Sequence, residues 1–198
     1  MNWSLLRSAP WIDTRAAFVA KTPRGGCLLD MGSSNGETLR HIAEMRPDLK
    51  LRSTDIEGAP ESYPPACDFY RGDIQRDRLP WPDQSVDSIT CMHLVEHLQE
   101  LGGLFREAAR LLKPGGSIYV ETPDPKTVVY PSPKGKMLGK FTLNFFDDPT
   151  HVRTVPRSTI ARAAEAAGLT VTGSGTSRNL LFAAAWPVFA FTPSSRPR

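Results

Sequence analysis

The sequence has little cysteine, no long apolar run and no excess of either charge. Its three cysteines, Cys27, Cys67 and Cys91, are odd in number, and each adjoins or lies within an apolar, strand-like run. This excludes a disulfide framework and fits reduced core thiols in a cytoplasmic protein. With 24 Lys and Arg against 21 Asp and Glu, the balance of +3 makes no general case for a nucleic-acid partner. No stretch reaches the roughly 20 apolar residues of a membrane helix, and Pro10 interrupts the start, MNWSLLRSAPW, before a signal-peptide core could form. A chain of 198 residues is sufficient for one domain with a full core, and a single domain over 1–198 is expected.

The most informative stretch that is present is CLLDMGSSNGETL, Cys27 to Leu39. A short apolar run reads as a buried strand ending at Asp30, a small-residue turn follows through Gly36, and a helical pattern opens at Glu37. Small residues let backbone N–H groups approach a ligand, and a helix N-terminus adds a positive dipole end. The dinucleotide fingerprint G-x-G-x-x-G fails here, because Ser34 and Glu37 stand where its second and third glycines belong. The stretch resembles instead the D-x-G-x-G-x-G loop of class I S-adenosylmethionine (SAM) dependent methyltransferases, with Ser34 in place of the middle glycine.

Further along, a short helix is expected over Asp13 to Lys21, capped by Asp13 or Thr14, where it covers the sheet or the cofactor. Thr38 to Met45 reads as a helix stopped by Pro47, and Leu49 to Thr54 as a second strand ending at Asp55. An acid in that place, about 20 residues past the glycine loop, suits a carboxylate that takes both ribose hydroxyls. Pro60, Pro64 and Pro65 allow at most one helical turn before the third strand, Cys67 to Tyr70. Val86 to Met92 reads as the fourth strand, Leu94 to Leu112 as one long helix, and Ser117 to Glu121 as the fifth strand after a Lys113–Gly116 turn.

The resemblance extends over about residues 26 to 123. LPWPDQSVD, from Leu79 to Asp87, resembles the family's L-P-F-x-D-x-S-F-D segment, and Lys113 to Gly116 its L-K-P-G-G turn. It implies an α/β, doubly wound, seven-stranded and mostly parallel sheet of Rossmann-like methyltransferase fold. It also implies that Asp73 accepts the adenine amino group while Ile74 lies against the ring. The cofactor residues expected are Asp30, Gly32, Ser33, Ser34, Gly36, Asp55, Ile56, Asp73, Ile74 and Met92, with SAM as the cofactor.

Residues 122–150 are rich in proline, with Lys126, Lys134, Lys136 and Lys140 and no acid between Asp124 and Asp147, and they read as a substrate-side insertion. Beyond it, DPTHVR and a helix over Ala161 to Ala167, started by Pro156 and ended by Gly168, resemble methyltransferases acting on glycans and small natural products. The apolar tail, Asn179 to Phe191, reads as a closing strand, with peripheral membrane contact through residues 180–191 as a second use.

His93, Glu96 and His97 fall at i, i+3 and i+4, so on a helix they would converge. H-x-x-E-H is also an inverted zincin signature, but its place just after a strand of a nucleotide-binding fold argues against proteolysis. Ubiquinone-biosynthesis O-methyltransferases and small-RNA 2′-O-methyltransferases carry E-x-x-E-H here and bind a divalent cation, with a distant His in the latter. That resemblance makes His93, Glu96, His97 and His151 a candidate cation set, in which nitrogen favours Zn, Mn or Fe over Mg. Many family members have H-x-L-E-H with no metal, a pattern from which this chain departs only by Val95, and the cation-free form is expected.

Transfer from a sulfonium needs alignment and, for a hydroxyl acceptor, a base. The candidates in order are His151, His97 and His93. The acceptor expected is a small molecule, a sugar or a lipid-linked glycan. The alternatives are RNA methylation and a non-catalytic scaffold of the same fold.

Overall fold

The computed structural model describes residues 8–129 and 144–176. Helix α1, Thr14–Ala20, opens where the Asp13 carboxylate accepts from the Arg15 and Ala16 N–H groups at 2.8 and 3.1 Å. This is the expected cap, which satisfies two of the donors a helix start leaves unpaired. Then follow β1, Cys27–Met31, α2, Glu37–Met45, β2, Lys50–Asp55, and β3, Asp68–Arg71. Between β2 and β3 the prolines leave a single 3-10 turn, Pro60–Ser62. The second half holds β4, Val86–Met92, α3, Gly102–Leu111, β5, Leu112–Glu121, and α4, Arg157–Ala166, with Gly168 at φ +85° just beyond it.

All strand pairs are parallel, in the order β3-β2-β1-β4-β5. Successive residues of β1 face opposite sides of the sheet, so Leu28 packs with Ala16, Val19, Leu39 and Ile42 from α1 and α2. Leu29 and Met31 pack on the other side with Leu104, Phe105 and Leu111 of α3 and Ala164 of α4. Two apolar layers thus enclose a sheet whose central strand is buried at every position. The chain reverses its direction of winding between β1 and β4, and a crevice opens there at the strands' carboxyl ends.

The single helix expected over Leu94 to Leu112 is broken. A 3-10 turn, Val95–His97, is followed by extended backbone at Leu98, and α3 begins only at Gly102. The competing partner is Gln75, whose Oε1 accepts from the Gln99 and Glu100 N–H groups at 3.0 and 3.3 Å. The expected Lys113–Gly116 turn is a bulge inside β5: Val86 pairs Leu112 while Ser88 pairs Ser117.

Five strands stand among the described residues. The closing strand expected over Asn179 to Phe191 and the membrane contact expected at 180–191 lie outside them, as do Lys134, Lys136 and Lys140. Of the 122–150 insertion, the 3-10 turns Pro125–Val129 and Phe145–Asp147 are described, tied by Asn144 Nδ2 donating to the Val128 carbonyl at 3.0 Å. Among the described residues no helix is long and apolar enough to cross a membrane.

Candidate active site

Where β1 ends, the chain turns through Gly32 and Gly36 at φ +77° and +71°. Glycine is needed at both for packing as well as conformation. A Cβ on Gly32 would stand 2.9 Å from the Leu94 side chain, and one on Gly36 would stand 2.7 Å from the Ser62 carbonyl. The loop is held from behind: the Ser33 hydroxyl donates to the Tyr63 oxygen at 3.1 Å, and the Tyr63 hydroxyl donates to the Ser34 carbonyl at 2.8 Å. Ser34 itself takes φ +47°, a conformation the family's glycine would adopt without strain.

Asp55, at the end of β2, accepts from the Ser34 N–H at 2.7 Å and the Glu57 N–H at 3.0 Å. It therefore joins the glycine loop to the second strand. Asp73, after β3, accepts from the Gln75 N–H at 2.9 Å and lies 3.5 Å from Arg76. Between them is a cleft of about 150 Å³ whose walls include Gly32, Asp55, Ile56, Asp73, Ile74 and His97. Asp30, Ser33, Ser34, Gly36 and Met92, also expected around the cofactor, do not line this cleft. Asp30 is enclosed within the sheet with Thr90 donating to it at 2.7 Å, and burial pushes its carboxyl up to about 7, the nearby Asp55 charge adding to the effect.

His97 also belongs to a second group of side chains. Its ring lies 4.8 Å from that of His151, which rests 4.4 Å from Phe145. His151 Nδ1 is 2.6 Å from the Phe145 carbonyl oxygen, which can only accept, so Nδ1 carries a proton and the uncharged tautomer has its lone pair on Nε2. His97 Nδ1 faces the Thr150 carbonyl at 3.2 Å and the Thr150 hydroxyl at 3.0 Å, whose own proton goes to Asp148. His97 therefore has the same tautomer.

His151 Nε2 is 4.0 Å from Glu96 Oε1 and 3.9 Å from Asp148. Glu96 is wholly buried, with His93 donating to Oε1 at 3.2 Å and Thr122 to Oε2 at 2.9 Å. Burial opposes its ionisation, yet His93 and Thr122 hold its carboxyl below the usual range.

The expected convergence of His93, Glu96 and His97 on a helical face is not what the fold makes. Glu96, His97 and His151 bring ligand-capable atoms within 4.8 Å of one another, while His93, at φ +55°, turns to Glu96 and Glu121. Glu121 and then Glu96 raise His93 to about 9, so at neutral pH it is a cation and not a base. The residue that sequence reasoning missed is Glu121. An acid ending a parallel strand beside the switch point was the one available signal.

A parallel sheet with a glycine loop after its first strand and carboxylates after its second and third defines a nucleotide-binding α/β protein, of the kind that takes SAM. Residues 4–173 match the methyltransferase domain family, and the chain belongs to it. It is 30% identical over 146 residues to the biotin biosynthesis bifunctional protein BioHC of Cellvibrio japonicus, covering 72% of this chain and 27% of that protein. It is 32% identical over 107 residues to the ubiquinone biosynthesis O-methyltransferase of Xanthomonas oryzae pv. oryzae, covering 50% and 43%. The chain thus spans between about a quarter and a half of these relatives' lengths. In fold it is similar to a SAM-dependent methyltransferase from Mesorhizobium loti, with TM-score 0.61, 20% identity and 88% and 89% coverage.

Proposed function

We propose that the chain transfers a methyl group from SAM to a hydroxyl of a small molecule, a sugar or a lipid-linked glycan. The observation that carries this reading is the pair His97 and His151, both with Nδ1 committed to the protein, meeting at the edge of the cleft between Asp55 and Asp73. Bound SAM supplies an activated methyl on a sulfonium. Gly32, Asp55, Ile56, Asp73 and Ile74 hold it: small backbone at the loop, a carboxylate toward the ribose, and Asp73 with Ile74 toward the base. His151, enclosed by Phe145 and His97, takes the acceptor's proton on Nε2. Exposed Val129, Phe146 and Val152 on the segments around it favour an acceptor with a lipid or ring body.

The reading is cation-free, with Glu96 engaged by His93 and Thr122. The test is titration calorimetry with SAM, then labelled SAM on a host lysate split into lipid, glycan and RNA pools. Heat on titration and label in the lipid or glycan pool, undiminished by a chelator, are expected. No heat would leave the scaffold reading, label in RNA the nucleic-acid reading, and loss of transfer on chelation a cation site.

A further inference from the structure

Glu121 holds His93 by both its main chain and its side chain. Its carbonyl accepts from the His93 N–H at 2.8 Å, and its Oε1 is 3.6 Å from His93 Nε2 and 3.0 Å from Arg15 Nη2. Its Oε2 accepts from the Tyr119 hydroxyl at 2.8 Å, and that hydroxyl is 2.9 Å from Thr14 Oγ1. His93 is thereby kept in a left-handed conformation that a residue with a Cβ adopts only at a cost.

On its other side His93 meets Glu96, so charges alternate along Arg15, Glu121, His93 and Glu96, and the last faces His151 at 4.0 Å. The groups around His93 are therefore Glu96 from the turn after β4, Glu121 from β5 and, through Glu121, Arg15 from α1. A wholly buried carboxylate without its cation would take up a proton or move. Burial works against Glu121 as well, and His93, Arg15 and Tyr119 outweigh it to keep that carboxyl below the usual range. Helix α1 does more than cover the sheet, since Arg15 closes the outer end of this network.

We propose that Glu121 is a positioning residue of the transfer site: it locks His93 between two carboxylates so that Glu96 stays aimed at the space beside His151. This rests on the reading of that space as the acceptor site.

The test uses the full chain with Glu121→Gln and Glu121→Asp. The imidazole ¹⁵N resonances of His93 are followed against pH without any ligand, SAM affinity is measured by calorimetry, and transfer is measured with labelled SAM and the lysate pool that the native protein labels. Native His93 should lose its proton near pH 9. Glu121→Gln should lower that midpoint by about one pH unit or more, because the removed carboxylate is the larger of the two holding the proton. Transfer should fall about tenfold or more at unchanged SAM affinity, with Glu121→Asp intermediate in both. If Glu121→Gln does not fold, Glu121→Asp carries the same measurements.

An unmoved midpoint, or a moved midpoint with native transfer, overturns the proposal. A native protein that gives no heat with SAM in calorimetry would sink the methyltransferase reading and this proposal with it. An active native protein with an equally active Glu121→Gln sinks this proposal alone.

Discussion

The carboxyl edge of the sheet is built in two ways. On the β1–β2–β3 side, carboxylates accept from backbone N–H groups, Asp55 from Ser34 and Glu57, Asp73 from Gln75. On the β4–β5 side, the chain of contacts runs between side chains, Arg15, Glu121, His93, Glu96 and Thr122, with His151 facing Glu96 at 4.0 Å. A cradle made of backbone depends on local turn geometry and tolerates small changes of side chain. A network of side chains depends on every member, and loses function when one is removed.

The comparison is sharpened most by His151→Ala. Transfer should fall about 10²- to 10⁴-fold, the usual range for losing general acid–base help, while calorimetry gives SAM affinity almost unchanged. Full transfer at saturating SAM would make this histidine structural.

Asp55→Ala probes the other side. It removes the carboxylate expected on the ribose and also the tie to Ser34, so SAM affinity should weaken by roughly 2 to 4 kcal/mol in calorimetry. Unchanged affinity would remove Asp55 from the cofactor's contacts.

Asp30→Asn should separate function from stability. With its pKa at about 7 in the fold against 3.8 for the free side chain, native Asp30 binds a proton that the unfolded chain has lost between those limits. Stability therefore falls as pH rises through that window, and the penalty is complete above pH 7. Asparagine keeps the Thr90 contact without a charge, so urea unfolding at pH 8 should show a gain on the order of 2 to 3 kcal/mol. A loss there would mean that the buried charge is compensated.

Ser34→Gly should change least. Releasing φ +47° and adding unfolded-state freedom oppose one another, so stability should move by no more than about 1 kcal/mol, with SAM affinity intact. A large loss of affinity would mean that the serine side chain takes part in binding.

The cofactor side was legible because its parts are close together in the chain and marked by residue type. Glycines at 32 and 36 and acids ending the second and third strands stand at spacings that a βαβ unit requires. Even so, the reason for Gly32 was not visible there: Leu94, 62 positions later, fills the space where its Cβ would stand. On the acceptor side His151 was legible as a candidate, whereas its partner Phe145, the capture of Glu96 by Thr122 and the whole role of Glu121 were not. The helix expected after β4 failed for the same reason, since Gln75 competes for its N–H groups from a distant loop.

Periodicity and turn chemistry by themselves determined the alternation of strands and helices, a helix start at Asp13 or Thr14, the stop at Gly168, and the glycine loop, because these depend on φ/ψ preferences and on neighbours within a few residues. Which histidine is a cation and which keeps a free lone pair was decided only by the tertiary structure. Charge state follows from the groups that folding brings within about 4 Å, and Glu96 and Glu121 reach His93, as Phe145 reaches His151, only once β4, β5 and the segment after residue 144 have packed together.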